Sequence, residues 1–384
     1  MERLVAAEVI LSLSVLALQE VPRGYGGWTL AAIAVLLALL PILAHLAERP
    51  RARPGVAAER TAGAALVLFA ILQLGFGLMR TIKPKVIDIG TTTVASLAAL
   101  AHGNNPYAFP VDPLAGGISG AAAAFHGYKY LPMTLAVYAP LVWPFGVRGV
   151  VLTNIVLQGA TTAALARLAG RGVANGGFVG VVAAALYLSL PFPAYQLLAR
   201  GANDLVPVLG LILALIALER RPFVAGLLVG LSIAAKPMPG AAALLCLVPA
   251  AGARKVFCAG LAVGLLPILP FALADPHAFW SNIVLFPAER PIDDTSWLYG
   301  LPATAALMAR ALAAAILLAL FVRARRAPTP PGGRLVPVVA AILVVFAVGP
   351  DMHHNYYLWF IPLFAVLAAR AACGAAENTR ERAA

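Results

Sequence analysis

The sequence predicts an all-α protein: a polytopic transmembrane helix bundle of about twelve spans, with cytoplasmic termini and a large outer loop bearing interfacial helices. Three observations lead there. Of its 384 residues 61% are hydrophobic and only 11% charged, against roughly a quarter charged in a soluble domain. The apolar residues come in runs close to the ~20 that a helix needs to cross the hydrocarbon core. The basic residues gather in alternate loops while every aspartate falls in the others, the asymmetry that orients membrane proteins. A net charge of +12 would point to nucleic acid in a soluble protein. Here the charges flank apolar helices and orient the chain, so no nucleic-acid partner is expected.

The first apolar run, 4–18, is interrupted by Glu8 and lacks a small-residue cleavage site before Gln19 and Glu20, so it is expected to stay as a helix rather than leave as a signal peptide. Further spans fit 28–47, 61–79, 147–168, 178–197, 204–218, 223–236, 238–250, 256–274, 301–322, 335–349 and 356–372. The stretch 131–145 contains Pro132, Pro140 and Pro144, which suits a short helix along the outer surface better than a crossing. The chain then divides into two additional N-terminal helices (1–60), a transmembrane catalytic core (61–372) and a cytoplasmic tail (373–384). The core carries outer loops at 80–146 and 275–300. Cys246, Cys258 and Cys373 lack the spacing of a disulfide framework or zinc site.

With the N-terminus inside, most of the 28 lysines and arginines fall on the cytoplasmic side, Arg167, Arg171, Arg220, Arg221, Arg334 and Arg370 among them. Asp88, Asp112, Asp204, Asp275, Asp293, Asp294 and Asp351 fall outside, as do all five tryptophans, near helix ends. Abundant Ala, Gly, Pro and Arg suit a GC-rich bacterial genome, hence a bacterial plasma membrane. The outer side is thus the chemical face.

A loop of about 65 residues in a compact membrane protein usually carries function. It begins Lys83-Pro84-Lys85-Val86-Ile87-Asp88, so a carboxylate emerges just as a helix leaves the bilayer. Asp88 has two readings, a cap on a helix from Thr91 to about Ala101 or a general base at the membrane surface. Gly103-Asn104-Asn105-Pro106-Tyr107 follows as a turn, then Tyr128-Lys129-Tyr130-Leu131-Pro132. Lys236-Pro237 ends a helix containing Gly226 and Gly230, and His353-His354-Asn355-Tyr356-Tyr357 precedes the last span. Arg310 falls in mid-span, where a charge costs about 2.5–3.5 kcal/mol on insertion scales, so it is expected to face the bundle interior. Asp293-Asp294 offers too few ligands for a divalent cation, and no metal or cofactor is expected.

In their order these motifs resemble the GT-C superfamily of membrane glycosyltransferases, and most closely glycosyltransferase family 87, over residues from about Thr61 to the last helix. The chain departs from the family pattern at Thr91-Thr92-Thr93, where a tyrosine is common, and at Tyr130-Leu131-Pro132 in place of Tyr-Pro-Pro. The resemblance implies a polyprenyl-phosphate sugar donor, of mannose or arabinose type, whose isoprenoid tail stays in the lipid, and a glycolipid or glycan acceptor on the outer face. Asp88 would then deprotonate the acceptor hydroxyl in a single inverting displacement, since a phosphate leaving group needs no acid opposite the base. It does need positive charge as its own charge grows. Lys236, His353, His354, Arg310 and Lys129 are the candidates for the donor phosphate; Asn105, Tyr107, Tyr130 and Trp297 are those for acceptor or sugar. The rival class is a lipid-linked sugar flippase or other multi-pass transporter, which would share a polar outer vestibule and a mid-membrane arginine.

Overall fold

The computed structural model describes residues 55–111, 126–173, 175–249, 251–289, 291–293, 296–326, 331–350 and 353–373, with the side chains of 325–333 and of His354 outside that description. The expected helix 4–18, the helix 28–47, Asp112, Asp294, Asp351 and the tail beyond 373 lie outside the described residues.

Thirteen helices, with a further helical stretch at 276–289 in the second outer loop, organise the described residues. α1 (Val56–Ile82) leads through an extended strap to α2 (Asp88–Ala101). α3 (Pro132–Phe145) starts on a proline and ends at Gly146, whose φ of +55° only glycine adopts without strain. At 14 residues it is too short to cross a bilayer alone. α4 (Val147–Gly170) follows directly. The expected single span 178–197 is instead a pair, α5 (Gly176–Ser189) and α6 (Pro191–Ala199), bent by 60°. The cause is local: Leu190 precedes Pro191 and is forced into extended backbone, φ −75° and ψ 120°.

α7 (Leu205–Ala217), α8 (Pro222–Ala235) and α9 (Pro237–Leu247) are short apolar helices. The α8–α9 break has the same origin as the first, since Lys236 precedes Pro237 and lies at φ −150°, ψ 115°. α10 (Ala251–Ala274) and α11 (Ala303–Arg326) are long and mostly exposed, with apolar side chains such as Leu266, Leu273, Leu307 and Leu312 facing outward, as in lipid. α12 (Pro331–Ala347), a 3-10 turn (His354–Trp359) and α13 (Ile361–Cys373) complete the bundle. Among the described residues four helices are long and apolar enough to cross a membrane, five if the bent pair is one span. The protein is an integral membrane protein, in which Pro191 divides the expected span 178–197 into two shorter pieces.

The broken helices free backbone carbonyls inside an apolar bundle, where each unpaired group is costly. Two amides on neighbouring helices meet them. Gln73 of α1 donates to the Leu188 and Leu190 carbonyls, and its own oxygen is bonded by Gln158 of α4. Asn154, fully buried on α4, donates to Leu197 O at 2.8 Å and Ala202 O at 3.1 Å, while its oxygen accepts from the Tyr138 hydroxyl. Polar residues on α4 thus hold the bend that a smooth hydrophobic helix could not.

At the end opposite the outer loop, arginines cap helix C-termini. Arg370 donates to Leu168 O at 2.7 Å, Ala169 O and Arg171 O, and Arg171 pairs with Glu219 at 2.9 Å. α8 and α10 approach backbone to backbone through Gly226, Gly230, Gly260 and Gly264. A Cβ on Gly226 would lie 2.0 Å from Phe257 O, and one on Gly230 2.5 Å from Leu261 O. Gly226→Leu or Gly230→Leu is therefore expected to destabilise by ~1–3 kcal/mol or more. Thermal melting in detergent checks this against Gly63→Leu, whose added carbon meets nothing within 4 Å and should leave the transition in place.

Candidate active site

Three chain breaks converge at the outer-loop end of the bundle. The α8–α9 interruption presents Lys236, the start of α7 presents Asp204, and the 3-10 turn before α13 presents Asn355, Tyr356 and Trp359. Lys236 Nζ lies 2.5 Å from Asp204 Oδ1, with the carboxylate wholly buried and the lysine side chain 10% exposed. Asp204 also accepts from Trp359 Nε1 at 2.6 Å on the same oxygen and from Asn355 Nδ2 at 2.8 Å on the other. These bonds matter because desolvating two ions costs several kcal/mol each, a cost that their attraction offsets only when the remaining lone pairs are satisfied.

The ammonium is caged. Lys236 Nζ sits 4.7 Å from the Tyr356 ring centre, 5.4 Å from Tyr130 and 5.5 Å from Trp359, with Tyr356 stacked on Trp359 at 4.5 Å. An ammonium has three N–H donors. One serves Asp204, and the others face aromatic rings, without an oxygen acceptor among the described residues. Ring faces hold a cation more weakly than an anionic oxygen does, so the site retains unspent capacity for an anion.

Asp88 stands at the first residue of α2, exposed, with Ile87 in the N-cap position, and among the described residues its carboxylate accepts no hydrogen bond. The capping reading therefore does not hold, and α2 starts three residues before the expected Thr91. Among the described residues its carboxylate forms no ion pair. Its position is set by backbone: Ile87 N donates to Arg200 O at 2.8 Å, and Val86 packs on Gly201. That ties the start of α2 to the loop leading into Asp204. Tyr130 lies between the two acids. Burial first, then the charges of Tyr356, Asp88 and Asp204, hold its hydroxyl well above the ordinary phenol range, so it stays protonated.

The other expected site residues fall in three groups. His353 borders the cage, its ring 5.8 Å from Tyr356 and its Nε2 3.7 Å from Asp293 Oδ2. Arg310, expected to face the bundle interior, is exposed on α11 and is, among the described residues, the one charged residue lining a cavity of about 700 Å³. The walls are otherwise apolar, with Leu245 and Leu317 among them, and the cavity reaches Met238 and Pro350, neighbours in sequence of Lys236 and His353. The remaining candidates are built into the scaffold. The Tyr107 ring is 1% exposed, packed against Phe279 and Phe271, with its hydroxyl given to Tyr130 O, which leaves no face for a sugar. Asn105 holds the turn by accepting from Tyr107 N, and Trp297 donates to Ala347 O. Lys129 bonds Gly127 O at 2.8 Å and Asn282 Oδ1 at 3.1 Å, joining the two outer loops.

Sequence reasoning missed Asp204, Asn355, Tyr356 and Trp359 as site residues. Asp204 looked like a helix boundary, and its partners lie 32 to 155 residues away along the chain. The available signal was an acid at the head of a strongly apolar run, 205–218.

The family model for glycosyltransferase family 87 matches residues 128–350, a stretch that includes Tyr130, Asp204, Lys236 and Arg310 but not Asp88. No curated protein matches the chain. Among solved structures, the crystal structure of ArnT from Cupriavidus metallidurans bound to undecaprenyl phosphate aligns with a TM-score of 0.56 at 17% identity, over 79% of this chain and 59% of that one. The chain thus spans less than two thirds of that structure, and the likeness is one of fold.

Asp204→Ala strands a buried ammonium and is expected to cost ~3–5 kcal/mol. The double change Asp204→Asn with Lys236→Met, which removes both charges, should recover most of that loss. Thermal melting of the singles and the double measures the coupling; strictly additive losses would show that the pair does not act as a unit.

Proposed function

Because the chain belongs to glycosyltransferase family 87, we propose that it transfers a mannose- or arabinose-type sugar from a polyprenyl-phosphate donor to a hydroxyl of a glycolipid or glycan acceptor. The reaction takes place at the outer face of a bacterial plasma membrane. The observation that carries this reading is Lys236, held by Asp204 inside an aromatic cage, whose remaining N–H groups meet no oxygen among the described residues.

In this reading the acceptor oxygen attacks the anomeric carbon and its proton passes to Asp88. The bond from that carbon to the phosphate oxygen breaks, and the electron pair leaves with the polyprenyl phosphate. A phosphodiester monoanion becomes a phosphate monoester dianion. The positive charge of Lys236 therefore interacts more strongly with the products' side of the reaction than with the bound donor, which is what lowers the barrier. Asp204 is a positioning residue that keeps the lysine charged and aimed. Asp88 suits a base because it is exposed at the mouth and free of a counter-ion among the described residues. The apolar cavity beside α9, α11 and α12 suits the first isoprene units, with Arg310 on its lipid-facing wall.

Helices broken at Leu190 and Lys236 are a feature that a lipid-linked sugar transporter would share. The two readings part on bond cleavage. Purified protein given radiolabelled polyprenyl-phosphate mannose or arabinose and candidate acceptors should release free polyprenyl phosphate, whereas a flippase in liposomes would move the intact donor across.

Asp88→Asn is expected to lower transfer ~10²- to 10⁴-fold while leaving the binding of undecaprenyl phosphate unchanged; full activity in that variant would remove Asp88 from the mechanism. Ala242→Trp, which fills the apolar cavity, should weaken the binding of undecaprenyl phosphate by titration without changing the binding of a water-soluble sugar phosphate.

A further inference from the structure

Most of the buried polar side chains among the described residues are bonded, including Asn154, whose amide serves two carbonyls and a hydroxyl; of those that are not, only Asn203 leaves both ends of its side chain open. Asn203 is the opposite case. It is 2% exposed, and neither its amide nitrogen nor its amide oxygen has a partner among the described residues. The oxygen of Gln196, also 2% exposed and in the same turn, is likewise open; the Ala202 N–H closes that turn on Gln196 O at 3.0 Å. Burying an amide without hydrogen bonds is unfavourable, and the fold demonstrably supplies partners for Asn154 a short distance away.

Asn203 also stands at a particular place. It immediately precedes Asp204, the carboxylate that anchors Lys236. Its loop is the one whose Arg200 carbonyl receives the Ile87 N–H at the foot of Asp88. The open amide therefore lies on the short connection between the proposed base and the proposed phosphate partner, where the transferred sugar ring would sit. A primary amide presents two donors and an acceptor on one plane, and adjacent sugar hydroxyls each donate and accept.

We infer that Asn203, with the open Gln196 oxygen of the same turn, reads the hydroxyls of the donor sugar and so sets which sugar is accepted. This rests on the function proposed above. Sites built to bond a hydroxyl discriminate strongly, because the wrong ring leaves their buried polar groups unpaired.

The test separates the sugar from its carrier. Binding of polyprenyl-phosphate mannose, polyprenyl-phosphate arabinose and bare undecaprenyl phosphate is titrated on full-length protein and on Asn203→Leu, which keeps the size of the side chain, with Asn203→Ala as a second variant. Both variants should bind the bare phosphate as the parent does and lose about tenfold or more on the preferred sugar-bearing lipid. Without lipid, Asn203→Leu should melt no lower than the parent, since it removes an amide that has no bonds to lose. Equal loss on sugar-bearing and bare lipids would overturn the inference, as would a preference left intact. A lower melting point with the preference kept would mean that an ordered water, not a sugar, completes the amide. A parent protein that binds none of the three lipids overturns the proposed reaction as well. A parent that prefers the sugar-bearing lipids, with variants that share the preference, overturns only the role of Asn203.

Discussion

The Asp204–Lys236 pair, withdrawn from water and bonded on both carboxylate oxygens, is the interaction around which the outer end of this bundle is built. An ion pair in such a place is no gain in stability over well-packed apolar side chains. Its presence there is better explained by what a fixed, dry ammonium can do to a phosphate whose charge is growing. The aromatic rings around it keep water out and tolerate a cation without neutralising it.

Placing that pair requires a helix to stop in two places, and proline is the means in one of them. Pro237 obliges Lys236 to leave helical backbone, which points the lysine out of the axis of α8. Pro191 acts in the same way on Leu190 and turns the chain by 60° toward the loop that ends at Asp204. Each break exposes carbonyls in a medium that cannot hydrate them. Gln73, Asn154 and Gln158 are the compensation at the Leu190 break, and Thr134, which donates to Ala235 O, is that at the Lys236 break, so polar residues in mid-bundle serve the geometry of the site without touching it.

The second site element, Asp88, depends on the same loop. A single backbone bond from Ile87 to Arg200 holds the start of α2 against the segment that leads to Asp204. Burial of Tyr107 and Tyr128 beneath it gives the outer loop a core of its own, knitted to the second outer loop by Asn282, which bonds Gly127 N and Tyr107 O. These residues looked like surface chemistry in the sequence because turn motifs and aromatics are common to binding loops and to small cores. Burial alone separates the two.

From the amino-acid order alone, the membrane class, the approximate positions of most helices among the described residues and the family resemblance were legible, because each rests on composition or on spacing along the chain. Asp88 and Lys236 stood out for the same reason: a charge beside an apolar run is conspicuous locally. Asp204 did not, nor did the Asn355–Trp359 turn as its partner, because a hydrogen bond between residues 151 or 155 positions apart leaves no periodic trace. Tertiary structure decided which charges are paired, which tyrosines are core, and that Arg310 faces outward along a cavity rather than into the bundle. Side-chain pairing depends on where chain breaks bring distant segments together, and only the folded backbone specifies that.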